Sequence, residues 1–467
     1  ISNGSCTVCG WVCQHLSVSN GKCDDCGLEG DTSYVNRYWD PVNKKVITND
    51  YALVGNVTEI TSLTTTLSEG WYIVKGEITN DNRLTVSGEV NLILTDGCTL
   101  TVSSGINVPS GTTLNIYGQQ QGTGTLTAGT SDKYTPAIGG NQGGCGTITI
   151  NGGKVNANVS AWAAAIGSAY GRATSDGGSV VINGGEISVS NNSPSTYEGA
   201  AIGSGSGNNG CSVTINGGKI DATNAKAGAA IGSGGGDYNS SCSVVIRGGT
   251  VTANNTFNYD GAGDGIGKGK KGTCTVTIEG GNIRATKTYS SSVEVRDPKN
   301  ASDTSVSLVE ITLDGVADGT DVTELEGITY GIYDVKTIGD KLYLYLPADT
   351  MPTSVTAGDE CYDCYKDGVF YQHNWVDATC FSPKHCSRCE ITEGEASSHN
   401  YENGVCTYCG KDTNGVFHIE TANQLVAFAQ YVELGNKNAD AVLDADIDMT
   451  GVAWTPICQT VSFHDTA

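Results

Sequence analysis

The chain has 467 residues, among them 64 glycines, 21 tyrosines and only 2 methionines, which makes it β-leaning and long enough for two or three folded units. Its formal charge of −24 is uneven: residues 131–287 hold nine acidic and eleven basic side chains, so the flanks carry the acidity. No basic arm or face stands out, which argues against a nucleic-acid partner, and no run of 18 apolar residues encodes a membrane span.

Residues 1–30 read as a small Cys-rich module. Cys6-x2-Cys9 is followed after 13 residues by Cys23-x2-Cys26, with Cys13 and His15 beside them. Two such pairs facing each other present four thiolates at tetrahedral reach, enough to fold a module too small to own a core. Structural zinc fits this spacing best, with disulfides or free thiols as the alternatives; Cys13, His15, Cys23 and Cys26 form a second ligand set. The chain opens without an initiator Met or signal peptide and ends abruptly, so both ends read as processing or fragment boundaries.

Residues 31–290 read as one solenoid, irregular at first. The segments around Trp71 and residues 92–102 alternate as short strands and should enter its first coils. From residue 131 the pattern becomes regular. One phrase recurs at 146–153, 178–185, 211–218, 242–249 and 274–281, with Gly-Gly pairs at 152, 184, 217, 248 and 280, steps of 32, 33, 31 and 32. Within each copy apolar residues alternate, as in Val213 and Ile215, so one face points inward. A Gly-Gly corner follows, where positive φ is cheap. A second alternation comes next, and then an Ala-Ile-Gly phrase centred on Ile138, Ile166, Ile202, Ile231 and Ile266. Three short strands per turn of about 32 residues cannot bury their inner face alone and must stack on their neighbours. The fold class is therefore all-β, a right-handed parallel β-helix flanked by small Cys-rich modules and a small β domain.

That period aligns whole columns. Asn151, Asn183 and Asn216, continued by Arg247 and Glu279, occupy the corner before Gly-Gly, where an amide can bond its copy in the next coil. Cys211, Cys242 and Cys274 share parity with the buried Val and Ile, which predicts an inward column of thiols filling the core, with a disulfide between adjacent coils as the alternative.

The remaining chain divides into three parts. Residues 291–358 lose the Gly-Gly corners and read as a small β domain capping the coils. Residues 359–412 hold Cys386-x2-Cys389, followed after 16 residues by Cys406-x2-Cys409, a second four-thiol set, with His373, Cys380, His385 and His399 close by. One alternate set there is His373, Cys380, Cys386 and Cys389. Closed four-Cys sites leave no position for water, so catalytic zinc is not the reading. Residues 413–467 open with a helical period at Leu425, Phe428, Ala429 and Val432, with Thr421 as N-cap and Gly435 as stop, and read as the truncated start of a second repeat domain.

Residues 105–118, 136–140 and the Ile-Asn-Gly-Gly repeats resemble the Gly-rich β-helix of large secreted surface proteins of gut Gram-positive bacteria. Residues 399–410 resemble the small zinc-ribbon-like Cys/His modules strung between the domains of such proteins, and residues 417–457 resemble the start of a GLUG-type repeat. The resemblance implies an extracellular, secreted or wall-associated protein and transfers no catalytic residue. Asp264-Gly-Ile-Gly267 also resembles a calcium-dependent, pectin-binding solenoid, implying calcium as a cofactor, although the other coils carry Ala where that Asp stands.

Three functions follow. Tyr134, Trp162, Tyr197, Phe257 and Tyr259 lie just before the Ala-Ile-Gly phrase, and Tyr170 and Tyr238 just after it. Stacked coils would set these rings on one lateral face, suited to a glycan or a host or plant polysaccharide. The same rings could simply cover the coil edge. An enzyme, a glycoside hydrolase or polysaccharide lyase, would draw on Asp176, Glu198, Asp237, Asp260 and Asp264 with Arg172 and Lys268. A structural stalk would use the same coils without any ligand.

Overall fold

The structure, a computed structural model, describes residues 18–19, 22–23, 32–141, 144–171, 178–193, 198–236, 239–387, 391–452 and 454. It forms two compact units, Ile1–Cys361 and Tyr362–Ala467.

Coiling begins at Thr58–Glu59. One file of parallel strands then stacks Gly70–Val74, Glu89–Leu94, Thr113–Gly118, Thr147–Ile150, Ser179–Ile182 and Cys211–Ile215. A second file stacks Glu77–Asn80, Thr99–Val102, Thr125–Thr130, Lys154–Val159, Glu186–Asn191 and Lys219–Asn224. In the last two coils both files run through the corner as single strands, Ser241–Asn255 and Thr273–Lys287, joining them into one fifteen-strand sheet. An eight-strand sheet of two- and three-residue strands, ending at Ile266–Gly267, closes the third side. The fold is an all-β parallel β-helix.

Register follows the sequence period directly. Val180, Val213, Val244 and Val276 pair one above another, and each is at most 4% exposed. In one coil Val213, Ile215, Ile220 and Ile231 are essentially inaccessible. At about 1.5–3 kcal/mol for each fully buried aliphatic side chain, stacking supplies what an isolated coil lacks.

The two glycines of each corner have different reasons. The second takes positive φ, +78° at Gly153 and +91° at Gly218. The first does not, and its missing Cβ makes room for chain crossing the corner from outside: a Cβ at Gly184 would lie 2.7 Å from Arg37 Cδ, and one at Gly217 would lie 2.6 Å from the Tyr333 ring. Two segments remote in sequence thus lie over the corners. Residues 33–53 form an antiparallel hairpin, Ser33–Asp40 with Lys45–Leu53. Its Arg37 guanidinium donates to the Asn151 carbonyl at 2.7 Å, and Tyr333 accepts from Arg37 Nε at 3.2 Å and lies 2.9 Å from Thr48 Oγ1.

The predicted Asn column is present and directional. Asn183 donates to Asn151 at 2.9 Å and Asn216 to Asn183 at 2.8 Å; Arg247 donates to Asn216 and pairs with Glu279 at 3.4 Å. An ion pair therefore ends a ladder of aligned amides, which accounts for the Asn to Arg to Glu progression.

Past the last coil, residues 290–331 lie over its open end through bridges at Ile266 to Val295, Thr277 to Lys299 and Gly280 to Gly331, and Ser307–Leu313 pairs antiparallel with Lys341–Leu346. Among its described residues, the second unit comprises short hairpins, a parallel pair of Phe417–Ile419 with Ala441–Leu443, and the helix Ala422–Glu433. Thr421 caps it with Gln424 in a reciprocal capping box, and Gly435 follows at φ +102°, as the sequence predicts. No helix of the described residues is long and apolar enough to cross a membrane.

Candidate functional site

Two clusters of Cys and His form in the second unit. In the first, Cys380, His399, Cys406 and Cys409 bring one ligand atom each within 4.8 Å of the others. The hairpin Tyr401–Glu402 with Val405–Cys406 leads into the tight turn that carries Cys409, and Gly410, at φ +76°, has no room for a Cβ beside the His418 carbonyl. Cys380 Sγ lies 3.7 Å from Cys406 Sγ, and Cys409 Sγ lies 3.3 Å from His399 Nδ1. Burial opposes ionisation of Cys406, but the amides of Cys409 and Tyr408 and the His399 ring outweigh it and bring its pKa down to about 6. Burial and the neighbouring thiols push Cys380 up to about 12. Three thiols this close ionise together only around a cation, the situation of a closed metal site.

In the second cluster, Cys364, His373 and Cys386 meet within the same 4.8 Å. Cys364 comes from the hairpin Cys364–Lys366 with Val369–Tyr371, and Cys386 ends a strand that pairs with Trp375. His373 Nε2 contacts Asp363 at 2.9 Å, a carboxylate of the kind that orients a metal-ligating imidazole. These groups hold a geometry into which a metal ion fits.

The grouping differs from the one the spacing suggested. Cys386 stands with Cys364 and His373, whereas Cys406 and Cys409 stand with Cys380 and His399, because separate hairpins carry the two knuckles. Cys364 was missed, although Cys361-x2-Cys364 repeats the knuckle spacing. Cys389 lies outside the described residues, as do Cys6, Cys9, Cys13, His15, Cys26 and the side chain of Cys23.

On the β-helix, the loops before the Ala-Ile-Gly phrase are held from inside. Asn191, Asn224 and Asn255, in register and at most 1% exposed, begin successive loops. Asn191 Nδ2 donates to the carbonyls of Ala161, Ala163 and Gly199 at 3.0–3.1 Å, and its Oδ1 accepts from Ala161 N at 3.1 Å. This side chain pins both sides of Trp162. The column was legible from its 33- and 31-residue steps but was not singled out.

Tyr134, Trp162 and Tyr170 form a triangle of rings with centroids 5.0–5.6 Å apart, and Lys133 Nζ lies 4.6 Å from the Trp162 ring and 5.1 Å from that of Tyr134. Tyr134 is 38% exposed. Phe257 and Tyr259 pair at 5.6 Å, with Lys226 Nζ 4.6 Å from Phe257 and Tyr259 71% exposed. The two groups stand on the same flank three coils apart, about 14 Å at the inter-strand spacing. Tyr197 and Tyr238, which fall between them in sequence, lie outside the described residues.

Among the described residues, the acidic side chains named from the sequence are each buried, engaged by protein or exposed on their own. Glu198 is fully buried; one carboxyl oxygen accepts from Ser193 N at 2.9 Å, the other has no hydrogen bond, and burial raises its pKa well above the usual range. Asp264 accepts from Arg296 at 2.7 and 2.9 Å and from the amides of Lys268 and Val293 at 3.0 Å, so its oxygens are engaged by protein where a calcium ion would need them. Asp260 is exposed, while Arg172, Asp176 and Asp237 lie outside the described residues.

No curated protein and no solved structure matches the chain. A family model described as a beta helix repeat matches residues 148–170, 213–235 and 244–267, each running from the first strand of a coil into its Ala-Ile-Gly phrase or just beyond. Matched segments and coil register agree on a β-helix built of repeated coils.

Proposed function

We propose that the chain is a non-catalytic extracellular surface protein whose β-helix flank binds glycan and whose Cys/His modules are folded around structural zinc. The observation that carries the glycan reading is the Tyr134, Trp162 and Tyr170 triangle under Lys133, repeated in kind by Phe257, Tyr259 and Lys226 on the same flank. Exposed ring faces stack on the C–H faces of sugars, and the ammonium groups add donors beside them. Zinc is supported by the donor chemistry: three thiolates and an imidazole in one cluster, two thiols and a carboxylate-oriented imidazole in the other, with Cys389 as the remaining donor nearby in sequence. Surface life, in the manner of wall-associated proteins of gut bacteria with zinc-ribbon-like modules and a GLUG-type repeat, rests on the sequence resemblance and on an acidic chain that stays soluble in crowded surroundings.

Retention on a panel of plant and mucin polysaccharides, compared between the protein and Trp162→Ala, tests the glycan reading. Retention that falls with the substitution supports it. Equal or absent retention in both leaves the coils as a stalk.

A further inference from the structure

Inside the β-helix the predicted thiol column is longer than the sequence period suggests. Cys211, Cys242 and Cys274 pair in register, and each sulfur lies 3.5–3.9 Å from the carbonyl of the residue after it, so all three share one side-chain orientation. One coil earlier the matching position is Gly178, and the space it leaves is entered by Cys145, whose Cβ lies 2.5 Å from where a Gly178 Cβ would sit. Burial, with Cys211 nearby, pushes the Cys145 thiol up to about 12. Four free thiols thus line one file of the core, Cys145 reaching from the preceding coil into the space left at Gly178. Cys145, Cys211 and Cys242 are buried, whereas Cys274 is half-exposed and opens into a cleft of about 380 Å³ lined by Thr275, Thr277, Asp297, Lys299 and Asp303.

The spacing selects the chemistry. Stacked coils hold equivalent atoms about 4.8 Å apart, wider than the Cβ separation of about 3.8 Å that a disulfide needs. A zinc ion wants four donors in tetrahedral array, and a file offers each level only one neighbour on either side. Two metal–sulfur bonds of about 2.3 Å laid end to end span about 4.6 Å, close to the spacing at which stacked coils hold equivalent atoms. Soft thiol donors favour monovalent copper among biological ions.

We propose that Cys242 and Cys274 form a linear two-coordinate site for a soft monovalent d10 cation, Cu(I) being the biological candidate, entered through the cleft at the open end of the file. One cation enters and one thiol proton leaves, giving a thiolate and a thiol on the same ion. The core keeps its net charge, no electron is transferred, and no oxidant is needed. Asp297 at the mouth adds a negative charge that draws cations in, while Lys299 is taken up by Asp303 at 2.7 Å.

The test uses the full chain, loaded with zinc, and Ag(I) as an air-stable probe. Native mass spectrometry counts bound silver while a chromophoric chelator reports any zinc displaced. The expected result is one fewer silver ion in Cys242→Val and in Cys274→Ser than in the parent, with Cys98→Val, a buried thiol outside the file, unchanged. Silver should also raise the melting temperature of the parent and not of the two file variants. Cys274→Ser alters a half-exposed side chain, so it decides the matter if Cys242→Val does not fold. Equal silver counts in the parent and Cys274→Ser, or silver bound only with release of zinc, would overturn the proposal and leave the thiols as core filling.

Discussion

Asn191 offers the sharpest test of how the coils hold their outer loops. It is fully buried and makes four hydrogen bonds, three of them donated to carbonyls on both sides of Trp162 and in the next loop. Replacing it with Ala removes about 0.5–1.5 kcal/mol per bond and strands polar groups away from water. Because the four bonds share one side chain they do not add fully, and the expected loss is about 3 kcal/mol. Asn191→Asp keeps the acceptor but faces three carbonyls with a buried carboxylate, so at neutral pH it should cost more than Ala. Protonation of that carboxyl should restore part of the loss in acid. Urea unfolding followed by tryptophan fluorescence measures both, with the slope of free energy against urea held as a check that the unfolded state is unchanged. A loss under about 0.5 kcal/mol for Asn191→Ala, the range of ordinary surface substitutions, would refute the claim that this column organises the flank.

Other outcomes follow from particular groups. Glu198 has its pKa raised well above the ordinary 4.5 by burial, so its neutral form stabilises the coils at low pH and that stabilisation is lost as pH climbs from about 4.5 toward the folded value. Glu198→Gln should therefore melt higher than the parent at pH 8 and alike at pH 4; parallel melting curves across pH would show that the carboxyl is not buried. If two separate metal centres exist in residues 362–467, Cys364→Ser and Cys380→Ser should each lower the bound zinc by one ion and the double variant by two, measured by elemental analysis. An unchanged count in both single variants would restore the single four-thiol site of Cys386, Cys389, Cys406 and Cys409.

Much of the β-helix was legible because its determinants are local and periodic. Alternation of Val and Ile with polar residues, repeated every 32 residues, fixes strand, face and register together, and the Asn and Cys columns follow from the same arithmetic. The capping box at Thr421 and Gln424 is equally local. What stayed hidden depends on partners far along the chain. The first glycine of each corner looked like a turn residue, yet at 184 and 217 it is empty space for Arg37 and Tyr333. Spacing identified the Cys knuckles but not their grouping, since which thiols meet is decided by how separate hairpins pack. Glu198 read as a loop carboxylate on a lateral face, whereas the structure buries it completely. Nothing in its immediate neighbours signals that burial.

The most direct test of the account is the length dependence of glycan binding. Two aromatic groups on one flank, about 14 Å apart at three coil steps, act as a single site only for a chain that reaches both. For the polysaccharide retained best, affinity measured by calorimetry on oligosaccharides of increasing length should rise at least about tenfold once the ligand spans that distance, and Trp162→Ala should erase the step. Affinity that climbs smoothly with length, or a step that survives Trp162→Ala, would contradict it.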